Sequence, residues 1–320
     1  MELAERLLAG DRRALARAIT QAERNDAALR ELLSAVRGSA GRAHVVGVTG
    51  PPGGGKSTIN DLLIERWRGQ GRTVAVLAVD PSSPYSGGAI LGDRVRMQRH
   101  TMDPGVFIRS MASRGHLGGL AAASRNAVRI VDAAGLDVCV LETVGVGQSE
   151  LEVVTTADTV VLVITPGSGD GVQMIKAGIM EIPDVFVVNK ADMPGADRVV
   201  KELRALVHEA THRDSRRPDG GTGEPWEPPV LRCVASEGEG VEAVAEAIDR
   251  HFEYQRSGGG LVRRRAERVR AEVESIAADT AARRVRRALS EGVPGVGPDG
   301  DLGAVDPYAI AARILASGTV

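Results

Sequence analysis

Gly50-Pro51-Pro52-Gly53-Gly54-Gly55-Lys56-Ser57 is the stretch of this chain whose residue types most directly imply chemistry. It fits G-x-x-x-x-G-K-[ST], a phosphate cradle. Glycines at 50, 53, 54 and 55 let backbone N–H groups converge on phosphate oxygens, Lys56 reaches the terminal ones, and the Ser57 hydroxyl can ligate Mg²⁺. An apolar run at 44–49 precedes the loop, and a helical pattern over 58–68, opening on Thr58, follows it. The cradle therefore sits between a strand and a helix whose N-terminal dipole attracts anions, and Thr58 joins the nucleotide-binding set. An ordinary glycine turn needs neither the Lys-Ser pair nor that context.

A cation held by Ser57 needs a carboxylate at the end of a nearby strand. Two strands end suitably, 74–79 with Asp80 and 137–141 with Glu142. Asp80 can instead cap the turn at Pro81-Ser82-Ser83-Pro84. A carboxylate closing a run as apolar as Val138-Cys139-Val140-Leu141 needs a partner. Glu142-Thr143-Val144-Gly145 is similar to the D-x-x-G switch of regulatory GTPases with Glu for Asp, and Gly145 would give its N–H to a γ-phosphate. Asn189-Lys190-Ala191-Asp192 closes another apolar run and matches N-K-x-D. An Asp carboxylate there accepts both N–H groups of guanine's amidine edge, whereas adenine would leave it buried and unpaired. GTP and GDP are thus the expected nucleotides. A loop after the last strand, 233–240, can set the backbone of Ala235 against the guanine oxygen. No residue is marked as the activator of the attacking water, although Gln148 lies in the right region.

The elements that must position these groups are legible as a pattern. From residue 44, short apolar runs alternate with helical stretches, as in a parallel sheet built from βαβ units. Strands are expected at 44–49, 73–80, 106–109, 137–142, 159–165, 184–189 and 229–234, nearly all apolar, as strands covered on both faces are. Residues 1–40 read as two or three short helices, with Asp11 and Asp26 capping 12–23 and 27–36. Residues 213–229 read as a polar surface loop rich in Pro and Gly, and 257–260 as a linker. A charged helix over 261–291 and a last helix at 307–316 follow. The expected fold is α/β, a P-loop NTPase with a mainly parallel sheet flanked by helices and helical extensions at both ends. Its domains are 1–40, the P-loop domain 41–256, and a C-terminal arm 257–320.

The chain has 320 residues, with 40 basic and 42 acidic side chains and a formal net charge of −2. That balance gives no overall electrostatic footprint for nucleic acid or an anionic membrane, and no window is apolar for long enough to span one. Neither a secretory leader nor a paired cysteine pattern is present in the sequence, so a cytoplasmic location is expected. Cys139 and Cys233 stand alone in apolar runs, without metal-ligand spacing. Only Lys56, Lys176, Lys190 and Lys201 are lysine. In a chain that otherwise uses Arg, those positions suggest a need for a compact ammonium on a flexible stem.

Together with residues 80–97 (Asp80-Pro-Ser-Ser-Pro-Tyr-Ser-Gly-Gly-Ala-Ile-Leu-Gly-Asp93-Arg-Val-Arg-Met97), 108–115 and 142–150, these motifs closely resemble the MeaB/ArgK family. Its members are GTPase chaperones of adenosylcobalamin-dependent acyl-CoA mutases. The resemblance runs from about residue 5 to Asp306-Pro-Tyr-Ala-Ile-Ala-Ala312. It implies that Lys56 and Ser57 bind phosphate and Mg²⁺, that Asp80, Asp93 and Glu142 surround the metal, and that Asn189, Lys190 and Asp192 hold guanine. It further implies a mutase-sensing loop at 166–176, and because Lys176 is one of only four lysines, it, or Gln173, is expected to swing toward the γ-phosphate on partner binding as an internal counterpart of an arginine finger. It implies as well a homodimer formed through the C-terminal helices, with 261–291 as the dimer candidate. One departure is Asn60, where relatives usually carry an apolar residue. Buried against a sheet it must find partners or cost about 1–3 kcal/mol, and it does not threaten the phosphate site. A metallocentre-insertion GTPase would bring His or Cys clusters that are missing from the sequence. A transport-linked ATPase or kinase fits poorly with N-K-x-D, and a module that binds nucleotide without hydrolysis remains to be distinguished by turnover.

Overall fold

Strand β1 (His44–Thr49) is buried at every position, and so are β4 (Val138–Thr143), β5 (Thr159–Ile164) and β6 (Val185–Asn189). Strands of that kind are stable only with both faces covered, which a parallel sheet with helical crossovers provides. With β2 (Val74–Asp80), β3 (Val106–Ala112) and β7 (Val230–Cys233) they form a seven-stranded sheet in the order β3-β2-β4-β1-β5-β6-β7. All six pairings are parallel. The structure is a computed structural model that describes residues 2–24, 27–80, 98–112, 119–143, 153, 155–167, 183–213, 225–290 and 306–316.

Alternation along the strands assigns each residue to a layer. Val46 and Val48 of β1 and Val138 and Val140 of β4 pack with helices α4 (Lys56–Gly69) and α7 (Val241–Ser257). Val45, Cys139 and Leu141 turn the other way, toward α1 (Glu2–Leu8), α2 (Arg12–Arg24), α3 (Ala27–Val36) and α5 (Gly119–Ala133). Helix α6 (Ala196–Arg213) covers Leu162, Ile164, Phe186 and Val188. The N-terminal extension is thus a working part of one helical layer, and fully buried anchors such as Ile19 and Leu29 each contribute about 1.5–3 kcal/mol of burial.

Polar groups at the entry edge of the sheet are paired. The Asp132 carboxylate accepts the N–H groups of Arg42 at 2.9 Å and Ala43 at 2.8 Å, tying the chain that enters β1 to α5. His44 Nε2 meets Thr159 Oγ1 at 2.8 Å, Thr159 Oγ1 meets His251 Nδ1 at 2.8 Å, and His251 Nε2 lies 3.1 Å from Asp184 Oδ1. This buried chain links the starts of β1, β5 and β6 to α7.

The chain divides into two compact units, Met1–Val262 and Arg263–Val320. The second holds most of α8 (Gly260–Leu289) and α9 (Pro307–Ala316). The linker expected at 257–260 is a tight turn: only Gly258 and Gly259 separate α7 from α8, Gly258 donates its N–H to Tyr254 O at 3.1 Å, and Gly259 has φ +70°. Among the described residues no helix is long and apolar enough to cross a membrane.

Candidate functional site

The end of β1 and the start of α4 build the phosphate loop. Gly55 stands at the N-cap of α4 with φ +87° and no side-chain cap, so the first amides of the helix are left for an anion. Gly50 has φ +136°, and a Cβ there would lie 2.0 Å from Val163 O, so both conformation and space demand glycine. Lys56 is buried and donates through Nζ to Gly50 O at 2.7 Å and Pro51 O at 2.9 Å. The ammonium holds the loop in shape and can exchange those carbonyls for phosphate oxygens.

Register decides which carboxylate reaches Ser57. β4 neighbours β1, with Val48 beside Glu142, and Glu142 shares its face with Val138 and Val140, the face that α4 covers. Ser57 Oγ accordingly donates to Glu142 Oε1 at 2.5 Å, and Glu142 is 6% exposed. Two hard oxygen donors thus meet beside an uncapped helix N-terminus. Such a donor set suits a divalent cation that retains water and shares its remaining positions with phosphate. Strand β2 ends on Asp80 as expected, while the Asp80 side chain, Asp93, Gly145, Gln148, Gln173 and Lys176 lie outside the described residues.

Asn60 finds the partner that its burial demands. Fully buried on α4, it donates from Nδ2 to Glu142 Oε2 at 2.9 Å, so it adjoins the candidate metal end of the site. Its partner is 82 residues away in sequence, which is why local pattern could not reveal the contact.

The second half of the site is built at the ends of β6 and β7. Asn189 closes β6, Lys190 takes φ +55°, and Asp192 is exposed in the following turn. Asn189 uses both ends of its amide on protein: Nδ2 donates to Gly54 O at 2.8 Å and Oδ1 accepts the Ala235 N–H at 3.1 Å. The N–H that the sequence offers to a guanine oxygen is therefore donated to Asn189. That side chain is a strut joining the phosphate loop, the N-K-x-D turn and the 233–240 loop. Ala191 adds a backbone bond to Cys233 O at 3.0 Å. Burial pushes the Cys233 thiol up to about 11, so it is neutral at physiological pH and packs as a small apolar residue.

This geometry can receive a nucleotide, with its phosphates at one end and its base at the other. The family model described as "Methylmalonyl Co-A mutase-associated GTPase MeaB" matches residues 15–290. The chain belongs to the MeaB family. It is 50% identical over 290 residues to a "Putative GTPase" of Pyrococcus horikoshii, covering 91% of this chain and 89% of that protein. GTPase ArgK of Escherichia coli is 41% identical over 251 residues, 77% of this chain and 74% of that protein. Among solved structures, an LAO/AO transport system kinase superposes with TM-score 0.66 at 28% identity, covering 98% of this chain and 95% of that one. As a MeaB-family protein the chain is a P-loop GTPase, and Gly50–Ser57 is the candidate site for its nucleotide.

Proposed function

We propose that this MeaB-family GTPase is a Mg²⁺-dependent chaperone of an adenosylcobalamin-dependent acyl-CoA mutase, using GTP hydrolysis to gate loading and protection of the mutase's cofactor. The observation that supports the partner is the match over residues 15–290 to a family described as methylmalonyl-CoA mutase-associated. A mouse relative named "Methylmalonic aciduria type A homolog, mitochondrial" is 38% identical over 217 residues, 67% of this chain and 50% of that protein.

In this reading the Gly50–Gly55 amides and the α4 N-terminus bind the β- and γ-phosphates, with Thr58 next along the helix. Lys56 moves from the loop carbonyls to the γ-phosphate and stabilises charge as the bond to the β-phosphate oxygen breaks. Ser57 and Glu142, joined by Asp80 and Asp93, hold Mg²⁺. The ion, when bound, neutralises charge on the phosphate oxygens. Asp192 and Lys190 hold guanine, Asn189 and Ala235 brace the base end, and Gly145 reports the γ-phosphate. Gln148 and Lys176, the latter in the 166–176 loop, are assigned to turnover stimulated by the partner. Residues 1–40 and 41–256 form the catalytic body, and 257–320 form a dimerisation arm, all in the cytoplasm.

The test of the partner is nucleotide-dependent complex formation. Loaded with a non-hydrolysable GTP analogue or with GDP, the protein is passed with an adenosylcobalamin-dependent acyl-CoA mutase over a sizing column. A complex whose amount differs between the two nucleotides is expected. The absence of any complex in both states contradicts the chaperone reading.

A further inference from the structure

Asn60 occupies a position where an amide is unfavourable. The next turn of the same helix supplies Leu63, Ile64 and Trp67, all fully buried, and they pack with the valines of β1 and β4. Asn60 is itself 0% exposed, and its Oδ1 is buried with no hydrogen-bond partner among the described residues. A leucine would fill such a place without an orphaned acceptor, and each orphaned group of this kind asks for an explanation.

The other end of the amide supplies one. Nδ2 donates to Glu142 Oε2 at 2.9 Å while Ser57 Oγ donates to Oε1 of the same carboxylate at 2.5 Å. Positions 57 and 60 are three apart on α4 and face the same way. One helix therefore grips both oxygens of one carboxylate delivered by β4. The orientation of the amide is fixed by charge, since Oδ1 turned toward the carboxylate would be repelled.

We propose that Asn60 is a positioning residue for the metal end of the site: its amide locks the Glu142 side chain so that Oε1 stays beside Ser57. The inference rests on the Mg²⁺ reading given under Proposed function. A glutamate has three rotatable bonds, and anchoring Oε2 removes the arrangements in which Oε1 leaves the Ser57 hydroxyl. Loss of an outer partner of this type typically weakens metal affinity about 10- to 100-fold. Asn60 touches neither nucleotide nor metal in this account and acts only through Glu142.

The experiment titrates Mg²⁺ against binding of fluorescent GDP for the full chain, Asn60→Leu and Asn60→Asp, and repeats GDP binding in EDTA. Asn60→Leu removes the donor and fills the space, whereas Asn60→Asp keeps the shape and sets a like charge against Glu142. Both variants are expected to raise the Mg²⁺ needed for half-maximal effect by about tenfold. GDP affinity in EDTA should stay the same, and the melting temperature of Asn60→Leu should not fall. An unchanged Mg²⁺ requirement in both variants overturns the inference. So does an equal loss of affinity with and without Mg²⁺, which would mark Asn60 as merely structural. Should GDP binding by the wild-type chain be indifferent to Mg²⁺, the metal reading itself fails and the role of Asn60 falls with it.

Discussion

Gly55 carries a single-residue constraint that couples the two ends of the candidate nucleotide site. Its φ of +87° lies in the left-handed region, and a Cβ there would sit 2.2 Å from Asn189 Nδ2. Alanine at this position adds about 1–2 kcal/mol of backbone strain and pushes away the side chain that joins the phosphate and base loops. Gly55→Ala should therefore weaken GDP binding by about tenfold or more, as read by fluorescent-nucleotide titration. Unchanged affinity would show that Asn189 is not a strut. At this scale the sequence revealed the residues whose chemistry is contiguous in the chain. The run Gly50–Ser57 and the run 189–192 each declare themselves within eight residues or fewer. What it concealed were contacts made across the fold. Asn60 meets Glu142 over 82 positions and Asn189 meets Gly54 over 135, so neither the positioning amide nor the strut has a local signature.

The elements were legible where burial makes their pattern plain. Six-residue apolar strands such as β4 and β5 could be read because a parallel sheet covered on both faces tolerates almost no polar residue. Boundaries were less legible. The strand expected at 106–109 continues to Ala112, because Arg109 and Ser110 sit in the ladder with β2 and Arg109 donates to Glu23 at 2.8 Å. The linker read from Ser257 to Gly260 became a turn because α7 and α8 each extend nearly to the glycines. Helix α8 leaves Val262, Val269, Val273 and Ile276 exposed, at 73%, 52%, 59% and 57%. Spacings of seven, four and three set these four on one side of the helix, an apolar stripe of the sort that seeks another helix. On the proposed dimerisation through this arm, Val269→Glu combined with Ile276→Glu should convert a dimer to a monomer in light scattering while the chain stays folded. A wild-type chain that is itself monomeric at micromolar concentration would contradict the dimer.

Across the whole molecule, the order of the strands is what turns separate motifs into one site. Placing β4 beside β1 brings Glu142 to Ser57, and placing β6 two strands from β1 on the other side leaves Asn189 within reach of Gly54. The chain as a whole superposes on a solved relative with TM-score 0.66, and the family match spans residues 15–290. On the proposed function, this site hydrolyses GTP in response to a mutase. That response is tested most directly by phosphate release from GTP and from ATP under Mg²⁺, with and without an adenosylcobalamin-dependent acyl-CoA mutase. Release from GTP alone, slow by itself and markedly faster with the mutase, is the predicted result. Equal use of ATP, or a rate from GTP that no such mutase alters, would contradict the account.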